Sequence, residues 1–137
     1  IGAKDKSNAD NAAVHTILIG IIIGIFIIIV GYCFGGTVAW LGACSSSFDA
    51  AVGYYGGFIH NFLDRHPKCP VQLHFGAQDQ GIPIENVDKI RDAKPDVDIY
   101  VYDGAGHGFI CDHRASYHEG ATTASRSRTL DFFDANL

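Results

Sequence analysis

Gly31-Tyr32-Cys33-Phe34-Gly35 constrains this chain more than any other stretch. It reads G-x-C-x-G, directly after the apolar, β-branched run Phe26-Ile27-Ile28-Ile29-Val30 and directly before a helix-compatible segment. That context predicts a strand, a sharp turn and a helix, with the apex residue strained and its side chain exposed. Glycines are expected on both sides of the apex because a Cβ there would collide with the neighbouring strand or helix. The apex side chain is a thiol.

The run leading into this elbow admits two readings. Residues Ile17 to Val30 are ILIGIIIGIFIIIV, and no charged side chain stands between Asp10 and Asp49. Ile17 to Phe34 is about long enough to cross a membrane, but no Lys/Arg-rich flank accompanies it. The second reading splits the run. Asp10-Asn11 caps a short helix through Ala12, Ala13, Val14 and Leu18, Gly20 to Gly24 turns, and Ile25 to Val30 forms a buried parallel strand. The split reading supplies the strand that the elbow needs and is favoured over a membrane anchor.

The 137 residues suffice for one domain. With 47% hydrophobic and 18% charged residues, burying a core is no obstacle. A net charge of −5 without a basic cluster excludes nucleic acid as a natural partner. None of the four cysteines, Cys33, Cys44, Cys69 and Cys111, forms a C-x-x-C pair or a zinc-like Cys/His spacing. No metal and no cofactor are expected. The expectation is a reduced, cytoplasmic protein with one special thiol and three inert ones.

Beyond the elbow, helical and strand patterns alternate. A helix continues through Thr37 to Cys44 and stops at Ser45-Ser46-Ser47. Strands are expected over Ala50 to Tyr55, Pro70 to Phe75 and Val97 to Tyr102, the last with strict alternation. Phe58 to Asp64 reads as a short helical segment, Ile84 to Lys94 as a helix stopped by Pro95. Ser116 to Leu137 reads as a terminal helix that packs through Leu130, Phe132 and Phe133. This order implies a parallel sheet with crossover helices.

In such sheets functional groups collect at the carboxyl ends of the strands. One strand ends at Cys33. The strand over Val71 to Phe75 runs into Asp79, and the strand over Val97 to Tyr102 runs into His107. The chain order is therefore nucleophile, acid, histidine. A free thiol has a pKa of about 8.5 and needs a base near neutral pH. His107 is placed to take the proton, and Asp79 to fix the imidazole tautomer. The backbone N–H of Phe34 is the expected half of an oxyanion hole. Each residue alone has an ordinary explanation as packing thiol, turn aspartate or surface histidine; the ordered combination singles them out. His60, His66, His74, His113 and His118 are expected to be solvated or satisfied by backbone. Tyr54 and Tyr55 are candidates for a pocket wall, with aromatic core as the alternative.

These residues resemble the dienelactone hydrolase family. The matching segments are Gly31-Tyr32-Cys33-Phe34-Gly35-Gly36, Ala51-Val52-Gly53-Tyr54-Tyr55-Gly56, His74-Phe75-Gly76-Ala77-Gln78-Asp79 with Pro83, and Tyr102 through Gly104-Ala105-Gly106-His107-Gly108-Phe109. The closing Arg128-Thr129-Leu130-Asp131-Phe132-Phe133 is similar to the family's last helix. The resemblance implies an α/β-hydrolase-like, mostly parallel sheet with flanking helices, as a single, partial domain over 1–137 that lacks the family's N-terminal strands. It implies an ester or enol-lactone hydrolase of aromatic degradation, with Cys33, Asp79 and His107 working together. Tyr54, Tyr55 and Phe109 are the candidates for contact with substrate. The family's opening strands, second oxyanion N–H, thiol-engaging acid and carboxylate-binding arginine have no counterpart. A second arginine that usually follows the histidine closely has its nearest equivalent only at Arg114. The sheet would then expose an apolar edge, to be covered by an N-terminal segment or another chain. The alternative is an inactive fragment or pseudoenzyme serving as an interaction module.

Overall fold

A computed structural model describes residues 28–45 and 48–137. The expected helix from Ala12, the Gly20–Gly24 turn and the start of the first strand lie outside them. Four parallel strands form one sheet in the order β1-β2-β3-β4: β1 Ile28–Tyr32, β2 Ala50–Tyr54, β3 Val71–Gly76 and β4 Asp98–Tyr102. Helices α1 Phe34–Ser45, α2 Ile84–Ala93 and α3 Glu119–Asn136 connect or follow the strands, with a 3-10 turn at Ile59–Asn61.

Every residue of the central strands β2 and β3 is buried; β2 reads as an unbroken apolar and small-residue run, whereas β3 buries Gln72 and His74 among its apolar residues. The core joins Trp40 and Ala43 of α1, Val52 and Leu73 of the sheet, Val87 and Ile90 of α2, and Phe132 of α3. Helix α1 lies close on β2 because small residues face each other there. A Cβ on Gly36 would come within 2.6 Å of the Tyr54 carbonyl oxygen. Helix α1 ends at Ser45, whose hydroxyl donates to the Leu41 carbonyl at 2.5 Å.

Three expectations are corrected. Strand β4 does not alternate: Ile99, Tyr100 and Val101 are all half-buried, because both of its faces carry packed groups. Tyr100, which alternation would turn to solvent, stacks on His74 and lies under the Arg128 guanidinium at 4.3 Å. The terminal helix begins at Glu119, where the His118 ring nitrogen Nδ1 caps it by accepting from the Ala121 N–H at 3.1 Å. Leu130 is 66% exposed. The buried residues of α3 are instead Ala121, Thr122, Ser125 and Phe132, which leave Leu130 on the outward face.

Small and hydroxylated residues on α3 face a buried polar network. His74 has no solvent exposure; its Nδ1 pairs with the Tyr102 hydroxyl and its Nε2 with Gln72 Oε1, both at 2.8 Å. Gln72 Oε1 only accepts, so Nε2 carries the proton and Nδ1 accepts from Tyr102, a neutral ring with both nitrogens satisfied. Burial, with the Arg128 charge second, lowers the His74 pKa to about 3. His74 is thus satisfied by side chains, not by backbone. The register stacks Tyr32 on Tyr54 and Tyr54 on His74, centroids 4.9 and 4.5 Å apart.

Candidate active site

Cys33 follows β1 directly and adopts φ 55°, the left-handed region that costs a side-chain-bearing residue strain. Two hydrogen bonds hold it there. Its N–H donates to the Tyr54 carbonyl and its own carbonyl accepts from the Gly36 N–H, both at 3.0 Å. A Cβ on Gly31 would land on the Gly35 carbonyl oxygen, so this glycine is sterically required. The expectation for the second glycine moves by one residue. A Cβ on Gly35 would meet nothing within 4 Å, and it is Gly36 that abuts β2. Phe34 opens α1, so its N–H has no acceptor within the helix and belongs to the positive end of the helix dipole.

Asp79 lies beyond the end of β3 and His107 beyond the end of β4. The two loops are tied together by backbone: the Ala77 N–H donates to the Tyr102 carbonyl and the Gln78 N–H to the Ala105 carbonyl, both at 2.9 Å. Gly76 permits this approach, because a Cβ there would run into Ala105. The His107 Nδ1–H consequently donates to Asp79 Oδ2 at 2.7 Å. The Asp79 side chain is fully buried, whereas that of His107 is 39% exposed. The other carboxylate oxygen, Oδ1, accepts from the Gly81 N–H at 2.9 Å. The carboxylate is therefore satisfied on both oxygens, and the imidazole is left with Nε2 as its free nitrogen.

Cys33 and His107 line one cavity of about 330 Å³, together with Phe34, Tyr55, Phe58 and His60. No hydrogen bond joins the thiol to the ring among the described residues. A second cavity of about 270 Å³ shares Cys33 and Tyr55 and reaches Ile110, Cys111 and Arg114. Tyr55 stands between the two, its ring 5.0 Å from the His107 ring. Like Cys33, it follows a strand with a positive φ, 41°. Burial raises its phenol pKa well above the ordinary value, with the Cys33 charge next in effect.

The three residues expected near substrate separate. Tyr55 lines both cavities. Tyr54 is buried and lines neither; its hydroxyl pairs with Thr129 Oγ1 at 2.6 Å and donates to the Ser125 carbonyl at 3.2 Å. Phe109 is fully buried and packs edge-on against Tyr55 at 5.5 Å. For these two the structure replaces pocket wall with core. Conversely, His60 was set aside from sequence yet lines the cavity from the 3-10 turn, with Nδ1 buried and unpartnered. No motif marks that position, since Ile59–Asn61 is brought in only by the turn after Gly56-Gly57.

Burial raises the pKa of both Cys44 and Cys69 and makes them poorer nucleophiles. All four cysteines are free. Among the described residues no cluster of three His, Cys, Asp or Glu could hold a metal, and no helix is long and apolar enough to cross a membrane.

Residues 5–137 match the model of the dienelactone hydrolase family. A carboxymethylenebutenolidase of Pseudomonas putida is 36% identical over 109 residues, covering 76% of this chain and 46% of the relative. A solved structure from Klebsiella pneumoniae, described as a "putative dienelactone hydrolase", superposes with a TM-score of 0.68 at 31% identity, covering 78% of this chain and 51% of that one. An esterase of Pyrococcus furiosus shares the fold at 16% identity, with a TM-score of 0.64 over 80% of this chain and 54% of the other. The chain spans about half the length of the curated relatives that it matches. Its parallel sheet, its elbow and these matches together make the chain a member of the dienelactone hydrolase family, within the α/β-hydrolase superfamily.

Proposed function

We propose that the chain carries the catalytic centre of a hydrolase that cleaves an ester or enol-lactone through a cysteine thiolate. The observation that carries this reading is the 2.7 Å bond from His107 to the buried Asp79, at a cavity that Cys33 also lines. His107 Nε2 takes the Cys33 proton, and the thiolate sulfur attacks the carbonyl carbon. The carbonyl π electrons move to oxygen, where the Phe34 N–H donates to the oxyanion. The intermediate collapses to a thioester, and the leaving alkoxide receives the proton from His107. Water, deprotonated by the same nitrogen, then attacks the thioester. The acid departs and the thiol is regenerated. Asp79 holds the tautomer and stabilises the imidazolium.

The relatives' printed names support the ester or lactone class, with a small molecule as substrate. Four free thiols favour a reducing compartment, the cytoplasm. The residues form a single α/β-hydrolase domain that further strands complete. Exposure of Ile28, Val30 and Tyr32 along the edge strand β1, at 41%, 37% and 49%, supports a covering segment or chain there. The same exposure motivates the second reading, an interaction module without turnover.

Turnover of phenyl acetate and of an enol-lactone by the full-length protein and by Cys33→Ala separates the two. A loss of about 10³-fold or more in kcat, with circular dichroism unchanged, is the expected result. Equal activity in the variant removes Cys33 as nucleophile, and no activity in either protein favours the interaction module.

A further inference from the structure

A third cavity lies at the opposite end of the sheet. The proposed catalytic groups follow the carboxyl ends of the strands, whereas this cavity of about 260 Å³ is walled by Val71, the first residue of β3, and by Val97, just before β4. His66 and Cys69 from the loop after the 3-10 turn complete it on one side, Lys94 and Asp96 after α2 on the other.

Lys94 is the unusual residue. It is 5% exposed, and its backbone is pinned by its N–H to the Ile90 carbonyl and by its carbonyl to the Val97 N–H. A buried ammonium is costly unless it is paired and its donors are satisfied. Among the described residues no carboxylate lies within ion-pairing distance of it. Among the described residues its one side-chain partner is His66 Nδ1 at 3.2 Å. An ammonium has three donors and no acceptor, so that nitrogen must accept. Two Lys94 donors remain open beside the cavity, and the neutral His66 ring keeps its proton on Nε2 as a further donor. Asp96, the acidic residue on the wall, is exposed and does not pair with Lys94. Water would satisfy the donors without balancing the charge; an oxyanion does both.

We propose that this cavity is an oxyanion-binding site, in which the Lys94 ammonium and the His66 ring hold a carboxylate or phosphate group. The setting supports it. Around the Cys44 thiol three cations, Lys94, Arg65 and Lys68, favour the thiolate and one carboxylate, Asp64, opposes it, so cations outnumber carboxylates there. Arg65 lies over the Phe62 ring and Lys68 donates to the Ser45 carbonyl, whereas Lys94 pairs with His66 on the cavity wall itself. The site owes nothing to the catalytic reading, since it shares no residue with the Cys33 cavities.

Calorimetric titration of the full-length protein with sodium phosphate, sodium acetate and sodium chloride, at constant ionic strength, tests it. Saturable binding of phosphate or acetate, with chloride inert, is expected, and which of the two binds assigns the head group. Lys94→Met keeps the buried stem and is expected to weaken binding about tenfold or more, as loss of a charge-assisted contact does. If near-ultraviolet circular dichroism shows that this variant is misfolded, His66→Ala, at an exposed position, takes its place and is expected to weaken binding about threefold or more. Absence of saturable binding by the unaltered protein, or binding unchanged in the folded variant, overturns the proposal.

Discussion

The Asp79 carboxylate, fully buried, accepts from His107 Nδ1 at 2.7 Å although the two residues sit on loops after different strands. The bond exists because the loops are stitched by backbone hydrogen bonds and because Gly76 has no side chain to hold them apart. Asp79→Asn should keep this packing but lose the tautomer preference, since an amide can present its N–H to the ring. The expected result is a fall in kcat of about 10²–10⁴-fold with little change in KM. Steady-state kinetics on phenyl acetate checks it, and a variant within twofold of the unaltered protein removes Asp79 from the proposed mechanism.

The elbow glycines give a contrasting pair. Gly31→Ala drives a methyl group into the Gly35 carbonyl, backbone against backbone, and should cost about 3 kcal/mol or more. Gly35→Ala enters open space in the first turn of α1 and should stabilise by about 0.5–1 kcal/mol. Urea denaturation of both variants measures the difference. Similar effects at the two positions would contradict the described turn.

Acid should unfold the protein through His74. Its pKa is about 3 folded and that of an ordinary histidine, 6.5, unfolded. The unfolded chain therefore binds the proton first as pH falls. The stability that His74 contributes is fully present above pH 6.5 and is lost on descending toward about 3, at up to about 1.4 kcal/mol per pH unit. His74→Gln, which cannot take up the proton, should flatten that slope in urea melts between pH 6.5 and 4.5. An unchanged slope would assign the acid lability to other groups.

Sequence alone reached the parallel sheet and the elbow because strong local signals carried them. An apolar run ending in G-x-C-x-G has few other folds open to it, and β2 reads as the unbroken run of a buried parallel strand, although β3 carries Gln72 and His74. Tertiary decisions were less legible. Tyr54 and Tyr55 are adjacent and chemically identical, yet the strand ends between them. Tyr54 turns its hydroxyl to Thr129, and Tyr55, at positive φ, lines the cavities. His60 reaches the cavity only because a 3-10 turn follows the double glycine. Leu130 was expected to pack, but α3 turns hydroxyl residues inward: Thr122 donates to the Phe109 carbonyl, Ser125 to the Thr122 carbonyl, and Thr129 meets Tyr54 and His74. An apolar pattern cannot announce a helix face that is buried for its hydroxyl groups.

The central claim is that the Cys33 sulfur forms a covalent acyl intermediate, and trapping that species tests it most directly. The full-length protein is mixed with an activated ester, quenched in acid within the first turnover and mapped by peptide mass spectrometry. The account predicts the acyl mass on the Cys33 peptide, absent from the Cys44 and Cys69 peptides, whose thiols burial suppresses, and absent from Cys33 in His107→Asn. Turnover with Cys33 unmodified and the acyl group on another residue would contradict it.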